Sequence, residues 1–81
     1  MMCKILSAKL LPSVNLDGPL SFLVEVRPEG ERPLYIMSYY RGSYVFARDP
    51  LHARRYSYRT AKAHMANLLQ KGDMNHEAVI F

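Results

Sequence analysis

Residues 57–72 read SYRTAKAHMANLLQKG and carry the clearest structural signal in the chain. Apolar residues recur there at the spacing of one face of an α-helix: Tyr58, Ala61, Met65, Leu68 and Leu69. Ser57 is a favourable N-cap because its hydroxyl can accept from the amides of the first turn, and Gly72 is the usual residue at a left-handed helix end. We therefore predict one amphipathic helix, about residues 57–71, that packs on a sheet.

The chain before this helix alternates apolar and polar residues as β-strands do. Strands are predicted at residues 2–10, 20–27, 34–40 and 44–48, and the apolar end at 77–81 predicts a last strand. Short polar connections between consecutive strands favour antiparallel pairing. The predicted fold class is α+β: an antiparallel sheet of four to five strands, in the order β-β-β-β-α-β, with the helix on one face.

Strict alternation assigns each strand residue to a face of the sheet. In the first strand it groups Leu6, Ala8 and Leu10 on one face and Cys3, Ile5 and Ser7 on the other. In the third strand it groups Leu34, Ile36 and Tyr40 towards the helix, and Tyr35, Met37 and Tyr39 on the open face. The sequence therefore predicts two tyrosines exposed together on the sheet.

Length, cysteine content and charge limit the class of protein. Eighty-one residues fit a single domain, 1–81, and Cys3 is the only cysteine, which favours a reducing cytoplasm over a secreted, disulfide-stapled protein. No apolar run approaches the roughly 20 residues that a membrane-spanning helix needs, so no membrane partner is expected. Between Arg32 and Lys62 there are seven bases and one acid, Asp49, which favours an anionic partner.

Residues suited to catalysis are sparse. His52, His64 and His76 stand 12 residues apart and accompany no Cys-x-x-Cys, His-x-His or His-Glu-x-x-His motif. The acids form no close pair on a predicted face, apart from Glu29 and Glu31 in a turn. We therefore expect no enzyme, no metal site and no cofactor.

Tyrosines and arginines interleave between positions 35 and 59. Tyrosine offers a large contact area with little entropy to lose, and arginine offers forked donors and stacking. The same residue types stabilise sheets and solubilise loops, so a purely structural role is the alternative. In the Arg-rich loop 49–56, Leu51 is expected to insert into the core. The candidate binding residues are Tyr35, Tyr39, Arg41, Arg48, Arg54, Arg55 and Arg59.

Residues 44–57 read YVFARDPLHARRYS and lead into the alanine-rich helix. A strand ending in an aromatic, then Asp-Pro, a short Ala-Arg-aromatic segment, a Ser/Thr cap and a helix resembles small phage-encoded accessory proteins. The resemblance implies a protein from a phage or another mobile element, in a class in which many members bind and inhibit a machine of the host cell.

Residues 54–62 read RRYSYRTAK and are similar to the basic run into the helix in the arm-binding domains of phage-type tyrosine recombinases. In that family three antiparallel strands precede a helix, and the sheet enters the major groove of DNA. This second resemblance implies a nucleic-acid-binding module.

Two functions follow as expectations. The first is a non-catalytic protein that docks on an acidic surface of a bacterial host protein, in the cytoplasm of that cell, and inhibits or modulates it. The second is a nucleic-acid-binding module that uses the same tyrosines and arginines. Either a monomer or a homodimer paired through edge strands fits the sequence.

Overall fold

The computed structural model describes residues 2–13 and 20–80. Within them lie two short 3-10 turns, Pro50–His52 and His76–Ala78, and the following elements: β1 Met2–Ser13, β2 Ser21–Pro28, β3 Leu34–Tyr40, β4 Ser43–Ala47, α1 Tyr58–Lys71 and β5 Asp73–Asn75. The sheet order is β4-β3-β2-β1-β5, and every neighbouring pair is antiparallel. The predicted α+β class and element order are confirmed.

The helix begins and ends at the residues that the sequence indicated. The Ser57 hydroxyl accepts from the Thr60 amide at 3.3 Å, and Gly72 adopts a left-handed φ of 78° while its amide donates to the Leu68 carbonyl. Ala61 and Leu68 are buried against the sheet. They meet a core that is closed from the strand side by Val24, Val26, Leu34, Ile36 and Phe46.

The C-terminal residues depart from the predicted last strand at 77–81. The chain leaves Gly72 directly into β5, where Met74 lies opposite Cys3 at the outer edge of β1. It then turns, and the Ile80 amide donates to the Phe46 carbonyl of β4 at 3.0 Å. The C-terminal segment thus runs from one edge of the sheet to the other, with residues 73–75 paired to β1 and Val79 and Ile80 beside Phe46 of β4. Phe81 lies outside the described residues.

A β-bulge in β3 reverses the predicted faces of its second half. Ile36 lies opposite Phe46 but Ser38 lies opposite Val45, so Met37 is an extra residue on this strand. An extra residue moves every side chain that follows it in the strand to the opposite face of the sheet. Tyr39 consequently lies opposite Tyr44 on the helix side, and the prediction that it shares the open face with Tyr35 is wrong.

A second irregularity has the same effect in β1. Pairing with β2 shifts between Ile5 and Ser7, and Leu6 stands at the shift. Ile5 is buried, and Ala8 and Leu10 pack against the same core, whereas Leu6 is 54% exposed. The prediction that Leu6 shares a face with Ala8 and Leu10 is therefore wrong.

The segment before the helix is hydrogen-bonded to two strands. Regular pairing of β2 with β3 is confined to two residue pairs, Glu25 with Tyr35 and Val26 with Leu34. The Arg54 amide donates to the Ile36 carbonyl of β3 at 3.0 Å, and Tyr56 exchanges two backbone hydrogen bonds with Phe22 of β2 at 2.8 and 2.9 Å. These bonds fix the entrance to α1 on the sheet.

Candidate binding site

The seven candidate residues do not form a single patch. Tyr35 and Tyr39 lie on opposite faces of the sheet, as the bulge requires. Arg41 precedes β4 and Arg48 follows it, so a strand of roughly 16 Å separates their backbones. Three candidates remain close together in the chain, on the segment that enters the helix: Arg54, Arg55 and Arg59.

Tyr35 is a sheet residue with a carboxylate neighbour. It lies opposite Glu25 on β2 and opposite Ala47 on β4, and it is half-buried. Burial, together with the negative charge and hydrogen bond of Glu25, raises the pKa of the Tyr35 hydroxyl. Glu25 also forms an ion pair with Lys9 at 3.6 Å, so this part of the open face is mixed in charge.

Tyr39 belongs to an aromatic cluster on the helix side, which comprises Tyr39, Tyr44, Tyr56 and His64. The His64 ring lies 4.9 Å from the rings of Tyr39 and Tyr56, and the Tyr39 and Tyr44 rings lie 4.6 Å apart. Centroid distances of this size are those of favourable aromatic pairs. The cluster joins β3, β4 and the segment before the helix to α1.

Hydrogen bonds fix the polar atoms of this cluster. Asn67 donates to the Tyr44 hydroxyl oxygen at 3.2 Å, and that hydroxyl lies 2.9 Å from Nδ1 of His64, to which it can donate. Burial, with the nearby positive charge of Arg54, lowers the pKa of His64. In contrast, the buried hydroxyl of Tyr56 has no hydrogen-bond partner among the described residues.

The basic segment, residues 54–62, contains four cationic side chains and no acidic one. All four are exposed: Arg54, Arg55, Arg59 and Lys62. Within the described residues, no salt bridge joins Arg54, Arg59 or Lys62 to a carboxylate. The first turn of α1 also lacks an acidic residue, so its cations add to the positive end of the helix dipole. Positive potential is therefore concentrated here.

Leu51 does not enter the core, contrary to expectation. It is 88% exposed, the highest value among the exposed large hydrophobic residues of the described chain. It stands on the 3-10 turn Pro50–His52, where the Asp49 carboxylate accepts from the Leu51 amide at 2.9 Å. The turn holds an apolar side chain outward, between Arg48 and the basic segment.

Two exposed tyrosines, neither among the candidates, carry cationic neighbours. Tyr58 is 51% exposed, and Nζ of Lys62 lies 5.5 Å from its ring centroid. Tyr40 is 71% exposed, and Cζ of Arg41 lies 5.3 Å from its ring centroid. Arg41 has a positive φ of 49°, which with Gly42 makes the tight turn that two-residue hairpins favour.

Three side chains that can coordinate a metal ion lie close together, away from the basic segment. Their spacing in the sequence did not indicate this. Nδ1 of His76 lies 2.6 Å from Oε1 of Glu31 and 3.9 Å from Sγ of Cys3. Their potential ligand atoms all lie within 4.8 Å of one another. No local motif could have indicated this group, because the three residues come from β1, the β2–β3 turn and the C-terminal 3-10 turn.

A pocket of about 230 Å³ lies where the C-terminal segment approaches β4. Tyr44, Leu68 and Met74 line its apolar side, and the charged residues that line it are Lys71 and Asp73. Small-molecule sites typically occupy about 300–1,000 Å³, so this pocket is below the usual size.

No helix in the described part of the chain has both the length and the apolar composition needed to cross a membrane. Comparison of the chain with models of protein families, with curated proteins and with solved structures gave no match.

Proposed function

We propose that this chain is a non-catalytic binding protein that docks on an acidic surface of a partner protein through residues 48–62. The observation that carries the proposal is Leu51, an apolar side chain 88% exposed amid arginines. Exposing a leucine forfeits roughly 1.5–3 kcal/mol that its burial would gain, so a partner that covers it recovers that energy.

The loop presents Leu51 in a defined position. Besides the Asp49 contact, the His52 amide donates to the Asp49 carbonyl at 3.0 Å and the Ala53 amide donates to the Pro50 carbonyl at 3.1 Å. The Arg54 amide then ties the end of the loop to β3. A side chain on a preorganised backbone loses less conformational entropy on binding than one on a mobile loop.

Charge supports an acidic partner. Arg48, Arg54 and Arg59 are exposed, and within the described residues no salt bridge pairs them with a carboxylate. A negatively charged surface interacts favourably with these positive charges, and such complementarity accelerates association. Arginine is enriched at binding hot spots between proteins, and apolar side chains fill the buried core of such interfaces.

The resemblance of residues 44–57 to phage accessory proteins suggests the class of partner. We propose a protein machine of a bacterial host, in the cytoplasm, whose activity is inhibited or modulated when this chain occupies its surface. Nothing in this role requires a catalytic group, because occupation of the surface is sufficient.

Nucleic acid is the second candidate, and Tyr40 and Tyr58 favour it. Both rings are exposed beside a cation, an arrangement that stacks on bases and neutralises phosphates. Tyr39 does not contribute to such a surface on the open sheet, because it packs in the aromatic cluster on the helix side. Leu51 has no evident task in a complex held by phosphates.

The experiment compares Leu51→Ser with Leu6→Ser, a matched control at a leucine of β1 that is 54% exposed. Partners are captured from a bacterial lysate with and without nuclease, and the affinity of the captured protein is then measured with purified components. We expect Leu51→Ser to weaken binding by about 10–100-fold, the effect of losing a hot-spot side chain. Leu6→Ser should leave the affinity unchanged, and equal affinities in the two variants contradict the proposal.

The double variant Arg54→Ala with Arg55→Ala tests whether the positive charge of the basic segment contributes to binding. Arg27→Ala with Arg32→Ala is the matched double control. We expect the first pair to weaken binding while Tm stays within a few degrees, since both side chains are exposed. Raising salt from about 50 to about 200 mM should reduce protein binding modestly, whereas a complex with several phosphate contacts loses about 10³–10⁵ in affinity. Nuclease-sensitive capture with that steep salt dependence would favour the nucleic-acid candidate instead.

A further inference from the structure

We propose that Cys3, Glu31 and His76 form a binding site for a zinc-like transition-metal ion, independent of the docking surface proposed above. Each offers one ligand atom of a type that Zn²⁺ prefers: a thiolate, a carboxylate and an imidazole. Cys3 and His76 are 73 positions apart in the sequence, with Glu31 between them. The fold brings the three ligand atoms to within 4.8 Å of one another.

The distances suit a tetrahedral ion. Typical Zn–S, Zn–N and Zn–O bonds place sulfur about 3.6 Å from nitrogen and nitrogen about 3.4 Å from oxygen. Here Sγ of Cys3 lies 3.9 Å from Nδ1 of His76, and that nitrogen lies 2.6 Å from Oε1 of Glu31. Entry of a metal therefore needs the His76–Glu31 contact to open by less than about 1 Å. It also needs Sγ of Cys3, which lies within 4.8 Å of the Glu31 oxygen, to come to about 3.6 Å from it.

Backbone bonds that do not involve these side chains hold the three ligands. Cys3 pairs with Met74, two residues before His76, in the β1–β5 ladder. The amide of Glu29 donates to the Lys4 carbonyl at 2.8 Å, which ties the turn carrying Glu31 to β1. Asn75 caps the 3-10 turn on which His76 stands, through a hydrogen bond of 3.0 Å to the Glu77 amide. The site is thus prepared by the fold before an ion arrives.

The donor set selects among metals. A thiolate with an imidazole favours Zn²⁺ and Co²⁺ over Mg²⁺ and Ca²⁺, which prefer oxygen ligands. Three protein ligands leave one tetrahedral position for a water molecule. The residues are half-buried, with the His76 side chain 40% and the Glu31 side chain 27% exposed, so an ion can enter from solvent.

Co²⁺ serves as the spectroscopic probe, because thiolate ligation gives a charge-transfer absorption that carboxylate or imidazole ligation alone does not. The purified full chain, in metal-free reducing buffer, is titrated with Co²⁺ and then with competing Zn²⁺. We expect the thiolate band to appear at one equivalent, to be removed by Zn²⁺, and Tm to rise with Zn²⁺ because the ion binds the folded state. Absence of the band at about 1 mM Co²⁺ overturns the proposal. It would mean a Kd above about 1 mM, a binding free energy weaker than about −4 kcal/mol.

Matched variants assign the ligands. Cys3→Ser should abolish the band, while Glu31→Gln should weaken Co²⁺ binding about 10-fold or more and keep the band. Two control variants should bind Co²⁺ as the unmodified chain does: Glu29→Gln, in the same turn as Glu31, and His52→Gln, on the other 3-10 turn. His76→Gln should bind Co²⁺ more weakly. Circular dichroism without metal verifies that each variant is folded. Equal binding of Co²⁺ by Glu31→Gln and Glu29→Gln, or by His76→Gln and His52→Gln, shows that the ion binds elsewhere.

Discussion

The aromatic cluster and the basic segment contain similar residues in opposite situations. In the cluster, Tyr44 is buried, and its hydroxyl is bonded to His64 and Asn67. In the basic segment, the Tyr58 ring lies 5.3 Å from the Phe22 ring but is half exposed, and the cations around it face solvent. Tyr56 and Arg54 connect the two regions, since the Arg54 guanidinium lies 5.7 Å from the Tyr56 ring.

The difference shows that composition alone does not assign a role to tyrosine and arginine. A tyrosine whose hydroxyl and ring have partners inside the protein stabilises the fold, whereas one displayed beside cations is available to another molecule. Substitutions in the aromatic cluster should therefore change the free energy of unfolding, and those in the basic segment should change binding. The following predictions test this division, in order of decreasing effect.

Leu68→Ala sets the scale for a purely structural change. Leu68 is 2% exposed in the core between α1 and the sheet, and we expect the free energy of unfolding to fall by about 2–5 kcal/mol because a cavity is left. Its neighbour Leu69 is 44% exposed, so Leu69→Ala should cost far less. Urea unfolding of both variants measures the difference; similar losses would mean that the helix face is assigned wrongly.

Tyr44→Phe should destabilise the aromatic cluster by about 1–2 kcal/mol, since His64 and Asn67 each lose a hydrogen-bond partner. Tyr56→Phe is its matched control, because the Tyr56 hydroxyl is buried without a partner among the described residues. Removing that hydroxyl should leave stability unchanged or raise it. Urea midpoints that fall equally in the two variants would contradict the distinction between a satisfied and an unsatisfied hydroxyl.

Arg59→Glu should separate stability from binding. Arg59 lies in the first turn of α1, where a negative charge interacts favourably with the helix dipole, so stability should rise by about 0.3–1 kcal/mol. Affinity for an acidic partner should fall in the same variant. Arg27→Glu makes the same charge change on β2 and should leave affinity unaltered; a loss of both stability and affinity in Arg59→Glu would indicate a structural role for Arg59.

The cluster should also make stability depend on pH. Burial and Arg54 lower the pKa of His64 in the folded chain, so the unfolded chain takes up this proton first as pH falls. The stabilisation is complete above the ordinary histidine pKa of about 6.5 and is lost as pH falls through the lower, folded-state pKa. Tm between about pH 7.5 and about pH 5.5 should fall more in the unmodified chain than in His64→Gln, which cannot titrate; equal falls would exclude His64 as the cause.

The two faces of the sheet were predictable only as far as its strands are regular. β2 alternates without interruption: Val24 and Val26 are buried, and Arg27 is exposed. β3 and β1 each contain an extra residue. In Met37-Ser38-Tyr39-Tyr40 the residues assigned to the two faces of the sheet have similar polarity, so no alternation in the sequence indicates where the bulge lies. The position of a bulge depends on the partner strand, so Tyr39 could not be placed from β3 alone.

The candidate site shows the same limit. The basic character of residues 54–62 is visible in the sequence, but the outward position of Leu51 is not, because leucine in a loop usually packs beneath it. A local signal existed: Asp49-Pro50 favours a tight capped turn, and the Asp49 carboxylate binds the Leu51 amide. In such a turn the backbone groups of the loop form hydrogen bonds with one another, and the apolar side chain points to solvent.

Local chemistry in the sequence determined the α+β class, the helix from Ser57 to Gly72, the four strands that precede it and the concentration of positive charge. Caps, turn residues and periodicity act between near neighbours, so these features can be inferred without a partner segment. Only the tertiary structure decided which tyrosines are enclosed, where the C-terminal segment pairs and that Cys3, Glu31 and His76 meet. Those outcomes depend on strand register and on contacts between residues distant in the chain, and no short stretch of sequence specifies them.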